Sequence, residues 1–78
     1  MSTERPDWEW QSEFDGEETG CGILLFNLAM HFRGLAGGTR VLIIARDPAA
    51  PTEMPSWCRM TGHTILDSRH PYYLIEAK

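Results

Sequence analysis

Two cysteines are the residues best suited to chemistry, and they stand in different settings. Cys21 lies in "EETGCGILLFNLAMHF", between an acidic loop and a long apolar run. Cys58 lies in "EMPSWCRMTG", beside Trp57 and close to Met54. A thiol attacks as its thiolate, so the neighbours that move its pKa decide whether it is a nucleophile. At Cys21 two influences oppose each other. At the N-cap of a helix, free N–H groups and the helix dipole favour the thiolate. Glu17 and Glu18, a few positions upstream, disfavour it as like charges. No base adjoins it in sequence. The residues alone leave two readings open: a reactive thiol at the mouth of a helix, or a small apolar side chain that begins a core element. For Cys58 the pattern points to a buried structural thiol, on one helical stripe with Met54, Trp57 and Thr61. Cys21, Cys58, His31, His63 and His70 could each ligate a metal, but no pair has the short spacing of a zinc site. No metal site and no Cys21–Cys58 disulfide are expected.

The elements that must position these residues follow from periodicity. Residues 1–6 read as a flexible tail and 7–78 as one domain. "DWEWQSEF" alternates, with Trp8, Trp10, Ser12 and Phe14 on one face of a half-buried strand. "DGEETG" is a loop. From Cys21 the period becomes helical: Leu25, Leu28, Phe32 and Leu35 form the core stripe, and Gly34, Gly37 and Gly38 end the helix. Ile23, Phe26 and Met30 fall off that stripe. They either pack on the second helix or the tryptophan strand, or form an apolar patch beside Cys21 that docks a partner. "RVLIIA" is a central strand buried on both faces. "TEMPSWCRMTG" is a second helix, with Thr52 as N-cap, Pro55 in the first turn and Gly62 just past the end. "HTILDS" and "YYLIEAK" form a hairpin through "RHP". The order β-α-β-α-β-β implies a parallel first pair of strands with a right-handed crossover. The economical packing is a two-layer α/β sandwich of the α+β class, with a four-stranded mixed sheet and both helices on one face.

Composition narrows the function classes. The chain has 78 residues, 42% of them hydrophobic, and two cysteines, which fits a single domain in a reducing compartment. The first twenty residues carry seven acids against Arg5, a net −6; the remainder carries four acids against six bases, a net +2, so the total is −4. No basic block is dense enough to track a phosphate backbone, so direct nucleic-acid binding is not expected. The start has no signal-peptide pattern. The apolar run from Ile23 to Phe32 is far short of the roughly 20 residues that span a bilayer, so no membrane partner is expected either.

Several stretches together resemble one known family, the TusA/SirA-like sulfur carriers. Phe14–Asp15 stands where that family has Leu-Asp before its cysteine. Arg46–Asp47–Pro48 stands at Asp-Asp-Pro. "EMPSWCRMTGH" is similar to its second helix and "YYLIEAK" to its closing strand. The resemblance runs from Phe14 to Lys78 and keeps Cys21 in register with the family's cysteine. The family's Cys-Pro-x-Pro is here Cys21–Gly22–Ile23–Leu24, without either proline. Gly20 replaces a basic residue often found there, Glu18 replaces a glycine, and Arg46 replaces the first aspartate of Asp-Asp-Pro. With Cys21 as N-cap, positions 22 and 24 would be N1 and N3, both tolerant of proline.

The resemblance implies a cytoplasmic, monomeric sulfur-relay protein that carries persulfide sulfur on Cys21 and needs no cofactor. The donor would be a cysteine desulfurase or rhodanese-type protein. The acceptor would serve tRNA thiolation, molybdenum-cofactor supply or sulfur metabolism. Ile23, Phe26, Met30, Arg46 and Asp47 are the candidate docking residues. The alternative is a paralogue that keeps the fold but acts only as a protein-binding or regulatory module.

Overall fold

The computed structural model describes residues 6–16 and 20–78, and at Cys21 the backbone alone. Its elements are β1 (Ser12–Asp15), α1 (Cys21–Arg33), β2 (Arg40–Ile44), α2 (Ala50–Thr61), β3 (Thr64–Arg69) and β4 (Tyr72–Glu76). The sheet order is β1-β2-β4-β3. β1 runs parallel to β2, while β4 is antiparallel to both β2 and β3. This is the expected α+β arrangement with a mixed four-stranded sheet.

The β-branched run Val41 to Ile44 makes β2 a central strand, and its side chains are buried on both faces. Val41 and Ile43, with Tyr73 and Ile75 of β4, meet Leu24, Leu28 and Phe32 of α1 and Met54, Trp57 and Cys58 of α2. Leu42, Ile44 and Tyr72 form a second cluster on the opposite face, and Trp8 and Trp10 pack against it.

This division corrects the reading of the first strand. Trp8 and Trp10 were expected on one face with Ser12 and Phe14, but regular β1 begins only at Ser12. The chain bends at Gln11. There the Gln11 N–H donates to Arg40 O, and the Arg40 N–H donates to Gln11 Oε1, both at 2.9 Å. Phe14 therefore packs with the helices while the tryptophans cover the other face. The physical reason is that both helices lie on one side, so Leu42, Ile44 and Tyr72 need another apolar cover; an indole carries a large hydrophobic area for that purpose.

Three helical expectations also shift. The centre of the α1 stripe is Leu24, Leu28 and Phe32, all buried, whereas Leu25 and Leu35 are only half-buried at its edges. α2 starts at Ala50, two residues before the expected N-cap Thr52. Pro55 consequently lies inside the helix rather than in its first turn, and Pro51 takes the early position. An Asp47-centred turn made this earlier start: the Ala49 N–H donates to Asp47 Oδ1 at 2.8 Å and the Ala50 N–H to Asp47 O at 2.9 Å. The α2 end follows expectation, since Gly62 has φ of 90° and its N–H donates to Cys58 O.

Candidate functional site at the start of helix α1

The β1-α1-β2 crossover brings the carboxyl ends of two parallel strands beside the start of α1. Asp15 is opposite Ile44 in register, and the next N–H, that of Gly16, donates to Ile44 O at 2.9 Å. Gly16 is needed at this point for space. A Cβ there would stand 2.5 Å from Leu24 Cδ1 and 3.1 Å from Ile44 O. Leu24 is buried in the core, so it has little room to retreat. The glycine thus lets β1 end directly against the first turn of α1.

α1 is entered from Gly20, an extended residue with φ −67° and ψ 159°. The Leu24 N–H donates to Gly20 O at 2.9 Å, which closes the first turn. Gly20 is therefore the N-cap and Cys21 the first helical residue, one position further in than expected. The N–H groups of Cys21, Gly22 and Ile23 belong to the opening turn, which has no intrahelical acceptors for them. Gly20 supplies no capping side chain. The Cys21 side chain, Glu17 and Glu18, and with them the expected opposition between helix dipole and acidic loop, lie outside the described residues.

The loop after β2 supplies the two other charged groups here. Arg46 Nη1 donates to Asp15 Oδ1 at 2.7 Å across the strand ends, and both side chains are about half-exposed. Asp47 faces the other way. Its Oδ2 lies 3.9 Å from the point where a Cβ on Gly20 would be, while its Oδ1 holds the turn into α2. One carboxylate thus adjoins the beginnings of both helices. On the tryptophan side of the sheet, Ile44, Arg46, His70, Pro71 and Tyr72 line an open cavity of about 370 Å³.

Ile23, Phe26 and Met30 are 64%, 65% and 51% exposed, so they do not pack on α2 or the tryptophans. Their spacing of three and four places them on the outward face of α1, in line from the residue two past Cys21. Cys58, in contrast, is buried within the core, and removal from water pushes its thiol pKa up to about 11. The histidines are dispersed: His31 Nε2 bonds Ser12 Oγ at 2.9 Å, His70 Nδ1 bonds the Tyr73 hydroxyl at 2.6 Å, and His63 lies against Phe32 and Trp57. Among the described residues no group of three or more His, Cys, Asp or Glu could hold a metal ion.

Sequence reasoning named Cys21, Arg46 and Asp47 but missed that Asp15 joins Arg46 and that Asp47 adjoins Gly20. The parallel crossover was the available signal, because open α/β sheets gather their functional groups at the carboxyl ends of parallel strands.

The fold and this arrangement define a small two-layer α+β domain with a cysteine in the first turn of its crossover helix. No family model matches the chain. The chain is similar to the sulfur carrier protein TusA of Pseudomonas putida (strain GB-1), with 29% identity over 63 residues, which cover 81% of this chain and 79% of that protein. No helix among the described residues is long and apolar enough to cross a membrane.

Proposed function

We propose that this protein is a TusA-like sulfur carrier that holds persulfide sulfur on Cys21. The observation that carries the reading is the position of Cys21 as the first residue of α1, beside the carboxyl ends of β1 and β2, in a chain similar to TusA over most of its length. In the loading step the Cys21 thiolate attacks the terminal sulfur of a donor persulfide. A new S–S bond forms, the donor's S–S bond breaks, and the donor cysteine leaves as a thiolate. Delivery is the reverse exchange: an acceptor nucleophile takes the terminal sulfur and Cys21 leaves as a thiolate. Sulfur is passed at a constant oxidation level, so no resident redox group is required. The free N–H groups of the first turn favour the anionic sulfur in both steps.

Ile23, Phe26 and Met30, with Arg46 and Asp47 at the nearby strand-to-helix loop, form the face that meets donor and acceptor in this reading. A cysteine desulfurase or rhodanese-type protein is the donor class, and the carrier works as a cytoplasmic monomer. Intact-mass spectrometry after incubation with a cysteine desulfurase and free cysteine tests the reading. One added sulfur raises the mass by about 32 Da. Cys21→Ser should abolish the gain and Cys58→Ser should retain it. A wild-type protein that stays unmodified beside a loaded TusA control would refute the carrier role. The outward apolar stripe also favours a second reading, a binding module of the same fold that uses no thiol. Partner binding that survives Cys21→Ser, together with absent sulfur loading, would select it.

A further inference from the structure

The Asp47 carboxylate has two oxygens, and among the described residues the fold uses one of them. Oδ1 accepts the Ala49 N–H and shapes the entry to α2. Oδ2 is turned toward Gly20, at 3.9 Å from the Cβ position of that residue. Gly20 immediately precedes Cys21 and offers no side chain between the carboxylate and the opening turn of α1. We propose that Asp47 is a positioning residue that sets the ionisation of Cys21: its negative charge beside the first turn of α1 holds the thiol in the protonated form and slows its reaction at neutral pH. Like charges disfavour ionisation, and the effect is strongest where little solvent intervenes. The consequence for sulfur transfer rests on the carrier reading above; the effect on the thiol itself does not.

The other charges at this end of the molecule act differently. Arg46 is paired with Asp15 across the strand ends, which partly neutralises its charge. Glu17 and Glu18 lie outside the described residues. His31 is engaged with Ser12 further along α1. Asp47 is the described acid that the geometry places at Gly20.

The test is the pH profile of Cys21 alkylation by iodoacetamide, followed by peptide mapping so that Cys58 is scored separately. Asp47→Asn keeps an acceptor for the Ala49 N–H and removes the charge. It should move the Cys21 profile to lower pH and speed labelling at pH 7 at low salt, because a like charge beside the opening turn is removed. Added salt should shrink the difference. A purely structural role for Asp47 would leave the Asp47→Asn profile with the wild type while altering thermal stability, and that result would overturn the proposal. Shifted profiles in a protein that takes up no sulfur from a desulfurase would uphold Asp47 control and remove the carrier reading instead.

Discussion

Arg46 donates to Asp15 at 2.7 Å and so ties the end of β2 to the end of β1, the two strands that bracket α1. In the resembled family an aspartate stands at position 46, which would set two carboxylates against each other at this place. Arg46 therefore replaces a repulsion with an attraction. Since both side chains are nearly half-exposed, solvent limits the gain. Arg46→Ala should lower stability by less than about 1 kcal/mol, and Arg46→Asp by somewhat more. Urea denaturation at low and high salt checks this: the Arg46→Asp loss should shrink as salt rises.

The two prolines absent from the Cys21 motif should behave unequally when restored. Gly22 is the second residue of α1, its N–H belongs to the unpaired opening turn, and a Cβ there meets nothing within 4 Å. Pro51 already occupies the equivalent early position in α2. Gly22→Pro should therefore change stability by no more than about 1 kcal/mol in either direction. Leu24 donates to Gly20 O and is buried, so Leu24→Pro loses a hydrogen bond and a core side chain together. It should cost about 3 kcal/mol or more. The expectation that position 24 tolerates proline fails because the helix begins with Cys21 as its first turn residue rather than its cap. Thermal melts of the two single variants separate the cases.

Cys58 should resist iodoacetamide in the folded protein, and it should make stability depend on alkaline pH. Its thiol ionises near 9.0 when unfolded and near 11 when buried. A raised folded pKa means the contribution is complete below pH 9.0 and is lost as pH climbs toward 11. The whole effect is on the order of 2–3 kcal/mol. Denaturation of wild type and Cys58→Ala from pH 8 to about 11 should show the wild-type advantage narrowing across that window. A constant difference would mean that the thiol is hydrated in the folded state.

His63 should destabilise the fold on the acid side. Burial against the Phe32 and Trp57 rings, and secondly the nearby charge of Lys78, lower its pKa below 6.5. Its Nδ1 also accepts the Lys78 backbone N–H at 3.2 Å, which protonation would forbid. The stability it confers is present above pH 6.5 and is lost as pH falls through the folded pKa. Wild type should lose stability more steeply than His63→Gln below that pH, and NMR titration of the imidazole should give a midpoint under 6.5.

The order of elements was legible in the sequence because each rests on local physics. β-branched Val41 to Ile44 favour a strand whatever surrounds them, Gly62 suits the left-handed turn after α2, and the three-and-four spacing around Leu28 favours a helix. That Ile23, Phe26 and Met30 lie on a separate stripe was equally local. The stripe's exposure was not, because it depends on how far α2 stands from α1. Periodicity likewise could not foresee that the alternation of Trp8, Trp10, Ser12 and Phe14 breaks at Gln11. The break follows from the uncovered face of β2, a surface that exists only once both helices have chosen the other side. The candidate site divides in the same way. Cys21, Arg46 and Asp47 could be named from residue type and resemblance, since each belongs to a short motif. The Asp15–Arg46 pair and the approach of Asp47 to Gly20 span 31 and 27 positions. Such distances in sequence are closed only by the parallel crossover, which packs two strand ends and a helix start together; no local preference encodes which way each carboxylate then turns.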